Sequence, residues 1–325
     1  MSAPLLARYA ECIFWMARYV ERAENLARLI DVNEVFSHDR RGSHNWDAVI
    51  ALNSDRERYI ERHGERFAPE LVIHFYCLDA NNPTSIFSCV RAARENARAL
   101  RPLISTEMWS HLNVFYNDLN AMRAQPLAMG AVSKFCSKIK QAAQAHTGIT
   151  EGTFYRDQGW YFYQIGKAIE RADQTTRLVD IKYHALLPSL SDVGTDIDIS
   201  QWNAVLRSAA GYHAYRRVHP RGMSPKSVSG FLIFNPLFPR SVVTCVRQVD
   251  SQLTELCTRY NLRSGHKAME RLDELRAALD SWTVDSVVNR GLHESLDFVQ
   301  GQLIGVTDGI QRAFFGVDQD TPLVV

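Results

Sequence analysis

The chain has 325 residues, and 37 basic residues nearly balance 36 acidic ones, which leaves a formal net charge of +1. This balance offers neither the basic surface of a nucleic-acid-binding protein nor one that suits an anionic membrane. Hydrophobic residues make up 46% and charged residues 22%, which excludes a disordered or low-complexity chain. Only 17 glycines and 11 prolines interrupt the sequence, so long helices are expected.

The first predicted element is a long helix near the N-terminus. A helix that is apolar on most of its sides is buried in the middle of a bundle. Residues 160–178 repeat the pattern, so a second central helix is predicted there. The apolar positions that cover the first helix are Phe14, Trp15, Tyr19, Val20, Ala23, Leu26, Ala27 and Ile30.

Later elements also follow the helical period. Asn82 and Pro83 are predicted as the cap and first turn of a helix that runs to Arg101, and a related helix is expected to begin near Pro239. Residues 71–78 and 241–249 have strand-like composition, but they are predicted to be helical because their neighbours are. Further helices are predicted at 113–122, 134–146, 264–282 and 291–315.

Two blocks of the chain repeat at nearly constant spacing. Residues 19–31 match 168–180 at an offset of 149, and residues 46–91 match 202–247 at an offset of 156. The longer match has 13 identities in 46 positions, several times what residue usage gives by chance. The sequence therefore predicts an all-α helical bundle built from two homologous, pseudo-twofold-related halves, 1–150 and 151–325, in one continuous bundle.

Each half carries a Glu-Arg dipeptide on its most aromatic helix. Charges on a buried helix must be paired. A pseudo-twofold axis would pair Glu21 with Arg171, and by the same symmetry Glu170 with Arg22. A structural role is favoured, because cross-pairs that balance in charge need no ligand, and ligand binding is the alternative. With the arginines six residues further on, the candidate Glu-Arg cluster comprises Glu21, Arg22, Arg28, Glu170, Arg171 and Arg177.

A second set of polar residues forms a candidate site of its own. One part lies on a single predicted helix, where only the first residue recurs in the second half of the chain. The other part combines a histidine with two arginines that suit a phosphate or carboxylate. For the first part, a solvated helix face is the more common explanation. The residues are Arg91, Arg94, Glu95, Asn96, His213, Arg216 and Arg217.

No sequence pattern indicates a metal site or a cofactor. The motifs G-x-x-x-x-G-K-[ST], G-x-G-x-x-G, G-x-S-x-G and H-E-x-x-H are absent, and no Glu-x-x-His pair supports a di-iron bundle. The six dispersed cysteines include no C-x-x-C pair. With no signal peptide and no membrane-spanning run expected, the sequence predicts a cytoplasmic protein without a cofactor.

The opening segment Leu6–Asp31, with its Glu21-Arg22 dipeptide, closely resembles the start of the Alpha-E family of bacterial helical proteins. Later segments are similar to further signatures of this family, up to about residue 315. They are Asp79–Ile86, Cys89–Arg98, Arg156-Asp157, Ile169–Asp173 and Ala214–Arg217. One departure is Asn235–Ser241, where the Asn-Pro pair is spaced differently from that of the first half.

The resemblance implies an all-α cytoplasmic protein that works with others. Members of this family are typically encoded beside, or fused to, circularly permuted ATP-grasp proteins that look like amide-bond-forming ligases. Transglutaminase-like and proteasome-like peptidase proteins are common neighbours. The implied role is that of a non-catalytic or accessory partner in an ATP-dependent peptide synthesis or modification system.

The alternative is an enzyme that acts on an amide or amino-acid-like substrate at the Glu/Arg cluster. A base is then expected among the glutamates and a carboxylate-binding group among the arginines. The absence of a recognisable nucleophile–base pair favours the accessory role. The residues concerned are Glu21, Glu95 and Glu170 as bases, and Arg22, Arg91, Arg94 and Arg171 as binding groups.

Overall fold

The computed structural model describes residues 5–37, 46–124, 127–185 and 196–316. Within these ranges the chain forms fifteen α-helices, a short 3-10 helix at Met129–Ala131 and no strand, so the all-α prediction is confirmed. The helices are α1 (Ala7–Ser37), α2 (Trp46–Leu52), α3 (Arg56–His63), α4 (Pro69–Cys77), α5 (Ile86–Ala99), α6 (Thr106–Met122), α7 (Val132–Thr153), α8 (Gln158–Ala185), α9 (Asp196–Ser208), α10 (Tyr212–Val218), α11 (Pro225–Phe234), α12 (Val242–Tyr260), α13 (His266–Ser281), α14 (Val284–Arg290) and α15 (Leu292–Phe314).

The two longest helices, α1 and α8, form the centre of the bundle. They pack against each other, with α5 and α7 on the flank of α1, and α12 and α15 on the flank of α8. Leu5 contacts Gln158 near their starts, and Arg22 contacts Glu170 further along, so the two helices run in the same direction. The buried apolar side chains of all these helices form one continuous core.

A glycine allows α1 and α8 to approach closely. A Cβ atom added at Gly166 would lie 2.5 Å from the carbonyl oxygen of Phe14, far inside van der Waals contact. Gly166 follows Tyr163 on a helix that is otherwise crowded with large side chains. The closeness of the backbones brings the polar side chains one turn further along into direct contact across the two helices.

The helix starts differ in detail from the sequence prediction. Asn82 is not the cap of α5: the helix begins at Ile86, and the Ser85 hydroxyl accepts a hydrogen bond from the backbone N–H of Ser88. The Asn82 side chain instead donates to the carbonyl oxygen of Phe75 at 3.0 Å, which ties the loop to α4. The related helix α12 likewise starts after a serine cap, Ser241. Residues 71–78 and 241–249 are helical as predicted, apart from Ser241 and the end of α4 at Cys77.

Segments that match in sequence also share local structure. Tyr59 and Tyr215 are fully buried, and each hydroxyl donates to a carbonyl oxygen seven residues later, at 2.8 and 3.2 Å. Their rings lie beside His63 and His219 with centroids 4.9 and 4.8 Å apart. The turns before α3 and α10 both contain a left-handed residue at φ 56°, Ser54 and Ala210 in turn.

A membrane-spanning segment was not expected, and no helix in the described ranges combines the length and apolarity needed to cross a bilayer.

Candidate functional site

The Glu-Arg dipeptides of α1 and α8 meet at the centre of the molecule. Arg171 donates through Nε and Nη2 to both carboxylate oxygens of Glu21, at 3.0 and 2.7 Å. Arg22 donates in the same way to Glu170, at 2.6 and 2.9 Å. The structure therefore contains both pairs that the sequence suggested, in the bidentate geometry that makes arginine–carboxylate contacts strong. They are called the cross-pairs below.

Both glutamates of the cross-pairs are shielded from solvent. Burial alone would raise their pKa values, because it disfavours the charged form. The charges and hydrogen bonds of Arg22 and Arg18 outweigh burial and lower the pKa of Glu170 to about 2. Arg171 and Arg240 likewise hold the pKa of Glu21 well below its ordinary value. Both side chains are therefore carboxylates at neutral pH, and neither is suited to accept a proton as a general base.

Each buried glutamate also binds a second arginine, which the sequence analysis missed. Arg18, one turn before Arg22 on α1, donates from Nε to Glu170 at 2.9 Å. Arg240, in the loop before α12, donates from Nη1 to Glu21 at 2.7 Å. The two arginines do not occupy matching positions of the repeated blocks, so the repeat did not predict them as a pair. Both carboxylates are thus satisfied by two guanidinium groups.

Further ion pairs surround the cross-pairs. Arg28 binds Glu24 at 2.6 Å, and Arg177 binds Asp173 at 2.8 Å, each one helical turn apart. Arg240 also reaches Glu24 at 3.0 Å. The two cross-pairs alone are balanced in charge, but the larger cluster has six arginines and only four carboxylates. Its members are Arg18, Arg22, Arg28, Arg171, Arg177 and Arg240, with Glu21, Glu24, Glu170 and Asp173.

On the Glu170 side of the cross-pairs, here called the open side, lies a cavity of about 280 Å³. Helices α1, α8 and α15 and the turn between α2 and α3 form its walls, and Thr84 closes one end. Asp55 lies on the wall with its carboxylate held by Arg58 and by the Thr84 hydroxyl, the latter at 2.7 Å. Arg22 and Arg177 of the predicted cluster reach this cavity, whereas Arg28, Glu21 and Arg171 are not among its lining residues.

On the Glu21 side, here called the closed side, the corresponding space is only about 20 Å³. Arg240 occupies it and donates to the side chains of Glu21, Glu24 and Asn25. At the offset of 156, Arg240 corresponds to Thr84. Both residues directly precede the serine that caps the following helix. The long side chain of Arg240 therefore fills the closed side, whereas the short side chain of Thr84 at the matching position leaves the open side accessible.

The first part of the predicted second site lies on α5, at some distance from the cross-pairs. Arg94 donates to Asn113 on α6 at 2.8 Å, forms an ion pair with Glu95, and lies over the ring of Tyr116. Arg91 donates to the carbonyl oxygen of Ala80 at 3.1 Å. Asn96 lies half-buried on the same helix. These contacts fix α5 to its neighbours and form no concave site.

The second part lies on α10, which packs on α9. His213, Arg216 and Arg217 are exposed there. Within the described part of the chain, no hydrogen bond or ion pair joins these residues to Arg91 or Arg94. The grouping of the seven residues as one site stays a prediction, because the sequence shows which residues share a helix face but not which helices are neighbours.

One other group of side chains has the composition of a metal site. Asp180, His293 and Asp297 place their ligand atoms within 4.8 Å of one another. However, the two ring nitrogens of His293 contact different carboxylates, Asp180 at 2.9 Å and Asp297 at 3.3 Å. The nitrogens point to opposite sides of the imidazole ring, so the arrangement is that of a histidine between two acids rather than three ligands facing one ion.

The comparison with protein families identifies the chain. The profile of a family described as a predicted alpha-helical domain with a conserved ER motif matches residues 5–315. The chain belongs to the Alpha-E family. The cross-pairs are built from two Glu-Arg dipeptides, Glu21-Arg22 and Glu170-Arg171, and so place the residue pair for which the family is described at the centre of the bundle.

Similar proteins include one uncharacterized protein of Mycobacterium bovis and two of Mycobacterium tuberculosis. The M. bovis protein and one M. tuberculosis protein are 26% identical to the chain over 291 residues, and the other is 25% identical. Each match covers 82% of this chain but only 31% of the relative, so the chain spans about a third of these proteins. No solved structure matches the chain.

Proposed function

We propose that this Alpha-E protein is a non-catalytic, accessory partner of an ATP-grasp amide ligase in a cytoplasmic, ATP-dependent peptide synthesis or modification system. Transglutaminase-like and proteasome-like peptidase proteins are further candidate partners, and the role requires no cofactor. The proposal treats the chain as two homologous halves, 1–150 and 151–325, that the cross-pairs hold together around a pseudo-twofold axis.

The observation that carries the proposal is the complete pairing of the central glutamates. Glu21 and Glu170 each accept hydrogen bonds from two arginines and are buried. A group with a pKa of about 2, as Glu170 has, is a poor base at neutral pH. This supports an assembly role for the Glu-Arg dipeptides, in which the exchange of pairs between α1 and α8 fixes how the two helices meet.

The proposed duplication is supported by the local parallels between matched segments. The matched tyrosines, Tyr59 and Tyr215, make equivalent hydrogen bonds, and the caps Ser85 and Ser241 start equivalent helices. The central helices run in the same direction and exchange equivalent ion pairs, as a twofold axis along them requires. Two halves joined in this way present a composite outer surface to a partner.

The length of the curated relatives also supports a joint action with other protein segments. The matched region is 31% of each relative, so most of each relative lies outside the Alpha-E match. By the family resemblance, an ATP-grasp segment is the candidate for the remainder or for a separately encoded neighbour.

The test is co-purification of this chain with the ATP-grasp protein encoded beside it, followed by ATP hydrolysis with and without the chain. We expect a stable complex and an ATP turnover, or a product yield, that depends on the chain. A matched control uses the chain unfolded by heat, which keeps composition and concentration the same. Separate migration of the two proteins, together with an unchanged ATP turnover, would refute the accessory role.

The second candidate is an enzyme that acts on an amide or amino-acid-like substrate. It is favoured by one observation: Arg22 of the cross-pairs reaches the cavity on the open side. The variant Glu21→Gln separates the two candidates, because Glu21 is buried in the cluster. The accessory role predicts a loss of stability, whereas a catalytic base predicts a loss of turnover with nearly unchanged stability.

A further inference from the structure

Four arginine side chains line the cavity on the open side, and two of them, Arg18 and Arg22, keep hydrogen-bond donors that no protein group uses. We propose that the cavity binds a small molecule that carries a carboxylate or phosphate group. The proposal concerns binding by this chain alone and does not depend on the accessory role.

The charges around the cavity favour an anion. Arg18, Arg22, Arg58 and Arg177 line it, against the carboxylates of Asp55 and Asp173. Glu170 lies beneath the cavity and binds Arg18 and Arg22. Even when this third carboxylate is counted, the four arginines outnumber the acidic groups. Because the surroundings are largely shielded from water, this imbalance acts at a lower effective dielectric than on an open surface.

Two of the arginines keep donors for a ligand. A guanidinium has five N–H groups. Arg22 gives one from Nε and one from Nη2 to Glu170. Arg18 gives its Nε–H to Glu170 and contacts Thr307 through Nη1 at 3.5 Å. Both side chains line the cavity, and the planar fork of arginine matches the geometry of carboxylate and phosphate oxygens.

The size and apolar part of the wall restrict the ligand. The cavity volume of about 280 Å³ lies at the lower end of the range for small-molecule pockets, roughly 300–1,000 Å³. Leu26, Ile169, Leu303 and Ile304 supply an apolar face opposite the charged one. This combination fits a small metabolite that carries an oxyanion group.

The contrast with the closed side argues that the cavity is not a by-product of the way the helices pair. Arg18 satisfies Glu170 from within α1, so the open side needs no further side chain for stability. At the closed side, the residues that correspond to the polar wall are small or apolar, and Arg240 fills the space. Asn53, Ser54, Asp55 and Arg58 correspond at the offset of 156 to Ala209, Ala210, Gly211 and Ala214. Only one half carries the polar wall.

The structure also provides a way to close the cavity. Thr84→Arg places at the open side the residue that occupies the closed side, beside the carboxylates of Asp55 and Asp173 that also line the cavity. We would label the full chain with ¹⁵N and titrate it with inorganic phosphate and, separately, with L-glutamate, following the backbone signals of Ser54 and Thr84 and the arginine Nε–H signals. Sodium chloride at matched ionic strength corrects for general screening.

We expect saturable shifts at the cavity with phosphate, with glutamate or with both, and the probe that binds identifies the oxyanion. Thr84→Arg should abolish them. Arg58→Ala removes a positive charge from the cavity wall without blocking the cavity. It should weaken binding about tenfold, because one hydrogen bond from a charged group to the ligand is lost. The matched control is Arg217→Ala, which removes an exposed arginine on α10.

Two results would overturn the proposal. One is the absence of saturable shifts with both probes. The other is a set of shifts that chloride reproduces, or that persist in a folded Thr84→Arg protein. If Thr84→Arg does not fold, Arg58→Ala against Arg217→Ala decides: equal binding by these two variants contradicts a site at the cavity.

Discussion

The two sides of the central cluster hold their glutamates in the same way but differ in what lies beyond them. Glu170 and Glu21 each bind a bidentate arginine from the other central helix and a second arginine. The second arginine of Glu170 is Arg18 of α1, whereas that of Glu21 is Arg240 from the loop before α12. On the closed side the second arginine, Arg240, also fills the adjoining space, whereas on the open side a cavity remains.

The difference shows that the pairing of the central glutamates and the accessibility of the space beside them depend on different positions of the sequence. The cross-pairs require both Glu-Arg dipeptides, since each carboxylate is buried and must be compensated. The residue before each serine cap is not constrained in this way. Threonine at position 84 and arginine at position 240 are therefore compatible with the same central arrangement, and the bundle is free to use one side for stability alone.

The largest expected effect follows from removing a central carboxylate. Glu170→Gln leaves Arg18 and Arg22 with no carboxylate partner, and Arg18 has only 5% of its side chain exposed. We expect a loss of about 3–5 kcal/mol in the free energy of unfolding, measured by urea denaturation. Glu21→Gln should cost less, because Arg240 retains Glu24 at 3.0 Å. Equal losses would contradict the difference between the two sides.

The dependence of stability on acidic pH provides a second test of the Glu170→Gln variant. The pKa of Glu170 is about 2 in the folded protein, below the ordinary value of about 4.3. Its contribution is therefore present above the ordinary pKa and is lost as the pH falls towards 2. Glu170→Gln should show a weaker fall in stability over this interval than the parent protein. A combined Arg22→Met exchange should recover part of the loss, because it removes one uncompensated charge.

Much of the fold followed from sequence because its signals are local or repeated. The helical period and the shortage of glycine and proline predicted the all-α class. The repeated dipeptides on two apolar helices predicted the pairs Glu21–Arg171 and Glu170–Arg22. The start of α5 was misplaced, because Asn82 and Ser85 are both good caps and the tertiary contact of Asn82 with Phe75 decides between them.

The remaining features of the site depend on contacts between distant segments. Arg240 lies more than two hundred residues from Glu21, and nothing in its own neighbourhood indicates an ion pair. A signal did exist in the comparison of matched positions, where a threonine corresponds to an arginine. The effect of this difference on the cavity can be recognised only when the positions of the helices are known. Arg91 and His213 were grouped by chemistry, but their helices have different neighbours.

The next effect tests the backbone contact on which both sides depend. Gly166→Ala places a methyl group 2.5 Å from the carbonyl oxygen of Phe14, and a backbone atom cannot move aside as a flexible side chain does. We expect a loss of about 3 kcal/mol in the free energy of unfolding, from overpacking at the crossing of α1 and α8. Gly152→Ala is the matched control, since no atom lies within 4 Å of the added Cβ there. Similar stabilities of the two variants would contradict the close approach.

A smaller effect is expected when the closed side is opened. Arg240→Thr removes the contacts with Glu21, Glu24 and Asn25, but Arg171 still satisfies Glu21. The loss should be about 2 kcal/mol, as for a hydrogen-bonded charged group whose partner keeps another donor. Arg240→Lys keeps the charge without the fork and should cost less. A loss as large as that of Glu170→Gln would show that Arg240, rather than Arg171, is the main partner of Glu21.

The smallest effect compares the acids at the far ends of the repeated blocks, Asp31 and Asp180. Asp31 binds Lys140 at 2.6 Å, whereas Asp180 binds His293 at 2.9 Å. The hydrogen bond to Asp180 raises the pKa of His293, burial opposes it, and the charges of Asp180, Asp297 and Glu294 add to the rise. The pair therefore stabilises the fold fully below the ordinary pKa of histidine, and the contribution is lost as the pH rises through the folded value.

His293→Lys converts this pair into the type found in the first half, and its stability relative to the parent protein should increase as the pH rises from 6 to 9. The total change should stay below about 1 kcal/mol, because 36% of the His293 side chain is exposed and solvent screens the pair. Burial lowers the pKa of His146 to about 3. This residue therefore destabilises the protein as the pH falls below the ordinary pKa of histidine, not as the pH rises. Its contribution is the same in both proteins and cancels in the difference. A stability difference between the two proteins that does not change from pH 6 to pH 9 would contradict this interpretation. It would mean that no titrating ion pair joins His293 of α15 to Asp180 at the end of α8.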